Sequence, residues 1–102
     1  MQDKRARLEE VLDLLRPGTH LALVGGGLRT APMGFLRSAL RKGVRGLRLT
    51  TVTGGGLDAD LLVGAGAVET LETCYVTLGP YGVAPNFRRA VQEGRLRVLD
   101  NT

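Results

Sequence analysis

Two runs of three glycines, Gly25-Gly26-Gly27 and Gly54-Gly55-Gly56, each follow a stretch rich in leucine, valine or threonine and precede a segment with helical spacing. Glycine admits positive φ and lets another group approach the main chain without meeting a Cβ. Several in a row after a strand can turn successive N–H groups toward one point, and the N-terminus of a following helix adds partial positive charge there. Such a pocket suits a phosphate, a carboxylate or the oxyanion of an acyl-transfer intermediate. Arg29 stands two residues past the first run, where it can neutralise the same anion. Each run taken alone fits a tight strand-to-helix turn as well as an anion cradle, and two of them on one sheet edge favour the cradle. Neither carries the lysine and hydroxyl of a P-loop or the spacing of a dinucleotide fingerprint. Tyr81, in the loop "GPYG", is the further candidate on that edge, able either to stack on a ligand ring or to pack the loop.

Other chemistry is thinly represented. His20 has no carboxylate or cysteine near it in sequence and reads as solvated or hydrogen-bonded. Cys74 is the sole cysteine and falls in an expected strand, so it reads as a small core residue, since a reactive thiolate needs an electropositive, exposed setting. Tyr75 and Phe87 are expected mostly in the core. A metal site needs several clustered ligands, and the sequence offers none. No residue qualifies as a catalytic group in this chain.

The elements that must position these loops follow from periodicity. Leu8, Val11, Leu12 and Leu15 share one face of a helix expected over Asp3 to Arg16, with Asp3 as its candidate cap and Pro17-Gly18 as its end. "HLALV" is a short strand, a helix opens at Pro32 and stops at Gly43, and "LRLTTVT" is a second strand. Asp58 is expected to cap a short helix bearing Leu61, Leu62 and Ala65, and a third strand covers about Thr70 to Leu78. A last helix enters through Ala84-Pro85 and stops at Gly94, and "LRVLD" is a fourth strand. Strand, glycine-bearing loop and helix recur three times, which implies an α/β fold with a mostly parallel sheet and helices on both faces. Ligands of such sheets gather beyond the carboxyl ends of the strands, where all three loops lie. The sequence ends directly after the fourth strand, and that edge is expected to meet another surface.

Size and composition set the bounds. With 102 residues, 43% hydrophobic and 24% charged, the expectation is one globular domain over residues 1–102. A net charge of +4 favours an anionic partner. Nucleic acid is disfavoured, because the arginines are scattered over all helices and only four aromatic residues are available for stacking. A lone cysteine and the lack of a long apolar run point to a cytoplasmic chain that does not enter a membrane.

The order of these motifs resembles the first part of the alpha subunit of class I coenzyme A transferases, particularly the glutaconate type. The resemblance rests on Pro17 to Thr19, Gly25 to Gly27 and Pro32-Met33, and later on Asp60 to Gly66 and Tyr81 to Gly94. It implies an open three-layer α/β/α arrangement and a role for Gly25, Gly26, Gly27 and Arg29 at the oxyanion or acyl-binding side, with Gly54, Gly55, Gly56 and Tyr81 as further ligand-binding positions. It also implies transfer of coenzyme A between an acyl thioester and a carboxylic acid, with the thioester as substrate and no bound cofactor. The family's nucleophilic glutamate belongs to a beta-type partner subunit or to a fused second half, and Glu72 and Glu93 do not match its motif. Catalysis is therefore expected only together with a partner, in a homo- or hetero-oligomer. Alpha subunits of the family run to more than twice this length. The alternative expectation is a stand-alone module that binds an anion or phosphorylated ligand without catalysis.

Overall fold

The computed structural model describes residues 2–24 and 31–101, so Gly25 to Thr30 lie outside the described residues. Along the chain run α1 (Leu8–Leu12), β1 (His20–Leu23), α2 (Met33–Arg41), β2 (Leu47–Thr51), α3 (Leu57–Gly64), β3 (Val68–Thr73), a 3-10 turn (Gly79–Tyr81), α4 (Pro85–Gln92) and β4 (Arg97–Asp100). The strands stand side by side in chain order, and every pairing is parallel.

That order decides where the helices go. Crossovers of one hand between successive neighbours place every connecting helix on the same face of the sheet. Burial agrees: Leu23, Leu47, Leu49, Thr51, Leu71 and Thr73 are buried, while the alternating His20, Ala22, Arg48 and Arg97 are exposed. The described residues thus hold the expected parallel α/β sheet as two layers, with the helices on one face. His20 Nε2 lies 2.6 Å from Thr50 Oγ1 on the other face, a hydrogen-bonded residue as its sequence setting implied.

Leu36, Leu49, Leu62, Leu71 and Ala90 join α2, α3 and α4 to the sheet in the main core, and Leu12, Ala39, Val44 and Leu47 form a smaller cluster under α1. The first helix is shorter than its apolar spacing suggested. Asp3, expected to cap it, instead bonds the backbone and guanidinium of Arg5, and only Leu12 of α1 is buried. An ion pair between Lys42 and Asp13 ties the end of α1 to α2.

Between α3 and α4 the contact is polar and close. Asp60, 3% exposed, accepts from the backbone N–H of Phe87 at 2.7 Å and from that of Asn86 at 3.5 Å, while the Asn86 amide donates to the Asp60 carbonyl at 3.4 Å. A Cβ on Gly64 would stand 2.5 Å from Asn86 Nδ2, so the bare glycine lets the two helices approach. Asp60 caps a helix other than its own.

Two outcomes follow from these contacts. Asp60→Ala leaves the first amides of α4 without their acceptor inside the core and is expected to cost about 2 kcal/mol in urea denaturation, with Asp60→Asn costing less because one acceptor oxygen remains. The Lys42 ammonium holds the Asp13 carboxyl below its usual range, first through their hydrogen bond and then through charge attraction. A carboxyl lowered in this way supports the native state above its unfolded value of about 3.9, and that support is lost as the pH falls through the native value. An NMR titration should therefore find the Asp13 midpoint below that of an ordinary aspartate, and Lys42→Ala should bring it back.

Candidate functional site

The carboxyl ends of β2 and β3 are locked by short polar bonds. Thr51 and Thr73, both buried, share a hydroxyl contact of 2.7 Å across the two strands, and Asn101 Nδ2 donates to the carbonyls of Thr51 and Glu72 at 3.2 and 3.3 Å. The third strand ends there at Thr73, five residues short of the run from Thr70 to Leu78 that the sequence suggested. Cys74 is consequently outside the strand and exposed, not a core residue, and Tyr75 is 54% exposed, not buried. Phe87 does pack against the main core.

Beyond the lock, the chain after β2 turns through Thr53, whose φ of 60° is the one positive value among described residues other than glycine. A β-branched side chain in that region is strained. The following Gly54-Gly55-Gly56 run then pairs again with the segment after β3. Gly55 N donates to Tyr75 O at 2.8 Å and Thr77 N to Gly55 O at 3.0 Å. A Cβ on Gly54 would come within 2.1 Å of the Tyr75 ring, so the aromatic face lies directly on the bare glycine. Gly56 N donates to Asp58 Oδ1 at 3.2 Å. Two of the three amides in this run are thereby satisfied inside the protein, Gly55 and Gly56 are buried and the Tyr75 ring lies against Gly54, so the run is a packed turn and not a set of convergent donors.

The helix N-termini on this edge are unequal for the same reason. Asp58 does not stand before α3 as its cap. It sits in the first turn, where its Oδ1 also accepts from Ala59 N at 2.8 Å, and Gly56 takes the capping position. Asp60 serves α4 in the same way from across the core. Both N-termini therefore already hold a carboxylate. No spacing rule points to the Asp60 contact, because the two partners are separated by 26 and 27 residues. By contrast α2, which begins just after the first glycine run, has no acidic residue in its first turn, and among the described residues no carboxylate bonds its amides. Gly25, Gly26, Gly27 and Arg29 lie outside the described residues, between β1 and this helix. Tyr81, on the 3-10 turn beyond β3, is 78% exposed and free of the loop packing that was its alternative role.

No family profile matches the chain. The cholesterol ring-cleaving hydrolase IpdA subunit of Mycobacterium tuberculosis is 38% identical over 101 residues, which are 98% of this chain and 34% of that protein. The IpdA subunit of Rhodococcus jostii is 36% identical, again over 97% of this chain and 33% of its own length. Among solved structures, a cysteine-to-serine variant of the decarboxylase AibA/AibB superposes with a TM-score of 0.82 at 29% identity, over 95% of this chain and 38% of the other. Glutaconate coenzyme A-transferase from Acidaminococcus fermentans gives 0.78 at 27% identity, over 95% and 31%. This chain spans about a third of the length of the curated relatives it matches. It has the α/β fold of the coenzyme A-transferase structures and is similar to that family across almost all of its own sequence.

Proposed function

We propose that residues 1–102 form one α/β domain of a coenzyme A-transferase-like enzyme, the alpha-type part, and that the domain supplies the anion-binding wall of a site completed by a partner. One observation carries the reading: two of the three N-termini of α2, α3 and α4 are filled by Asp58 and Asp60, and at the third, that of α2, which follows a glycine run and an arginine in the sequence, no carboxylate is bonded among the described residues. Gly25, Gly26, Gly27 and Arg29 are the assigned seat for the negative charge. Gly54, Gly55 and Gly56 back it as a packed turn, and Tyr81 is the exposed further ligand-binding candidate.

In the proposed reaction a glutamate of a beta-type partner attacks the thioester carbonyl. The carbonyl oxygen takes the negative charge, and main-chain N–H groups aimed at that position stabilise it. Departure of the coenzyme A thiolate leaves an acyl-glutamyl anhydride, and return of the thiolate to the glutamyl carbonyl frees the acyl group as its carboxylate. The glutamyl thioester then passes coenzyme A to a second acid by the same steps in reverse. This chain contributes the seat and no nucleophile. A cytoplasmic, oligomeric enzyme with the acyl thioester as substrate and no resident cofactor completes the proposal. Among the described residues no helix is long and apolar enough to cross a membrane.

A second reading has its own support, because the relatives at 38% and 36% identity are named as subunits of a ring-cleaving hydrolase, while the glutaconate transferase stands at 27%. Under this reading water, not a second acid, is the co-substrate, and the bond it breaks lies in a ring of the substrate. A module that binds an anion without catalysis is the remaining alternative.

Product analysis separates the three. With a partner subunit that bears the glutamate, a cyclic acyl thioester and a free carboxylate, coenzyme A exchange supports the transferase, opening of the ring by water without exchange supports the hydrolase, and binding alone supports the module. Under either catalytic reading Gly26→Val is expected to lower the rate by about a hundredfold, the usual scale for losing an oxyanion donor. An unchanged rate removes the loop from the site.

A further inference from the structure

The hydroxyls of Thr51 and Thr73 have fewer hydrogens than contacts. Each side chain carries one O–H hydrogen. Thr51 Oγ1 lies 3.1 Å from Thr53 O, Thr73 Oγ1 lies 2.8 Å from Tyr75 O, and the two hydroxyl oxygens are 2.7 Å apart. If both hydrogens went to the carbonyls, the two oxygens would meet with none between them, in a core where little screens their lone pairs. Bulk water does not supply another hydrogen, because Thr51 is 1% and Thr73 2% exposed. Among the described residues no further donor reaches either oxygen.

Two arrangements remain. In one, Thr51 donates to Thr73 and Thr73 donates to Tyr75 O. In the other, Thr73 donates to Thr51 and Thr51 donates to Thr53 O. The bond between the strands is kept in both, so the sheet is indifferent to the choice. The turn carbonyls are not. The first arrangement uses the shorter outer contact, 2.8 Å against 3.1 Å. The second serves the carbonyl with the poorer second donor, since Tyr75 O also has the Gly55 amide at 2.8 Å, whereas Thr53 O has the Cys74 amide at 3.3 Å. These preferences oppose each other, and neither arrangement leaves a carbonyl without a donor.

We propose that the Thr51–Thr73 pair is a two-position latch on the turn at Thr53. With its hydrogens directed to Thr53 O the turn is held from both strands, and with them directed to Tyr75 O it rests on the single long bond from Cys74. Release matters at this residue, because a β-branched side chain at φ 60° gains by leaving the left-handed region. The second carbonyl belongs to Tyr75, whose ring lies on Gly54, so the latch joins the turn after β2 to the turn after β3 as one bistable element. It operates whatever reaction the site carries out.

Two substitutions of nearly equal shape each fix one position. Thr73→Val leaves the Thr51 hydrogen only Thr53 O to bond and closes the latch, and Thr51→Val leaves the Thr73 hydrogen only Tyr75 O and opens it. Amide hydrogen exchange at Cys74, whose N–H bonds Thr53 O, reads the turn, and exchange at Leu71, paired on both sides within β3, corrects for overall stability. Relative to Leu71, the Cys74 amide is expected to exchange about tenfold faster in Thr51→Val than in Thr73→Val, the scale of one hydrogen bond, with the native chain between them. Thr51→Ser and Thr73→Ser keep the hydroxyls and should keep the intermediate rate, and circular dichroism checks that each variant is folded. Equal rates in the two valine variants, or a native rate that matches either of them, overturn the latch. Where a valine variant does not fold, the native chain decides alone by NMR. The couplings of its two buried hydroxyl hydrogens to Hβ are expected to be averages over two rotamers, and single-rotamer values overturn the latch.

Discussion

The buried carboxylate of Asp60 is the contact on which the ligand edge depends. It takes the first amides of α4 from the middle of the core, with Gly64 bare so that Asn86 can lie against α3. A carboxylate has a strong need for donors once it leaves water, and a helix N-terminus supplies both N–H groups and a favourable dipole. Each side thus satisfies the other, and α4 is fixed in both position and direction. The segment from Cys74 to Ala84 is then held at both ends, by the Thr51–Thr73 lock at one and by the capped helix at the other. Its path across the edge, and with it the placement of Tyr75 and Tyr81, follows from those two anchors.

The same carboxylates that hold the fold also divide the edge by charge. A helix N-terminus without a partner attracts an anion, and two of the three here have been given one from within. Asp58 and Asp60 act as permanent ligands of the α3 and α4 N-termini and close them to a competing anion. The strained turn at Thr53 belongs to this arrangement. Its carbonyl accepts from both Thr51 Oγ1 and Cys74 N, so the left-handed backbone is held by bonds to both strands. That turn sets Gly54 directly beneath the Tyr75 ring.

Much of the architecture was legible in the sequence, for reasons that can be named. Prolines at 32 and 85 open helices because the missing N–H costs nothing in a first turn, and glycines at 43 and 94 close them with φ of 82° and 70°. Three rounds of strand and helix gave the parallel sheet. Order within the sheet was not legible: neighbours in strict sequence put the helices on one face, and no local pattern specifies which neighbour a strand chooses. The third strand was read too long, because apolar and β-branched residues continue to Leu78 while the continuous ladder breaks at a hydroxyl lock that no propensity reveals and resumes only as isolated pairings at Val76 and Thr77. That error carried Cys74 and Tyr75 into the core on paper. The first helix was read too long because apolar spacing ignores what Asp3 prefers to bond. Asp60 was seen only as part of a motif, since a cap given to another helix leaves no trace at short range. The first glycine run and Arg29 fall outside the described residues, so their role rests on the neighbours that frame them.

What such a segment can contribute to chemistry is constrained by its relatives. A hydrolase subunit, a decarboxylase and a transferase share this fold at 27% to 38% identity with it, and their names denote three different fates of the substrate. A fold held in common by different reactions supplies geometry, and the reaction is set by groups mounted elsewhere. This chain fits that division. In the proposed reading it offers an arginine and bare main chain that bind and orient, and the nucleophile belongs to a partner. Orientation is nevertheless a large part of catalysis, because a carbonyl held against fixed donors needs no solvent rearrangement as its charge develops. The identity of the attacking group, whether glutamate or water, then decides between transfer and hydrolysis.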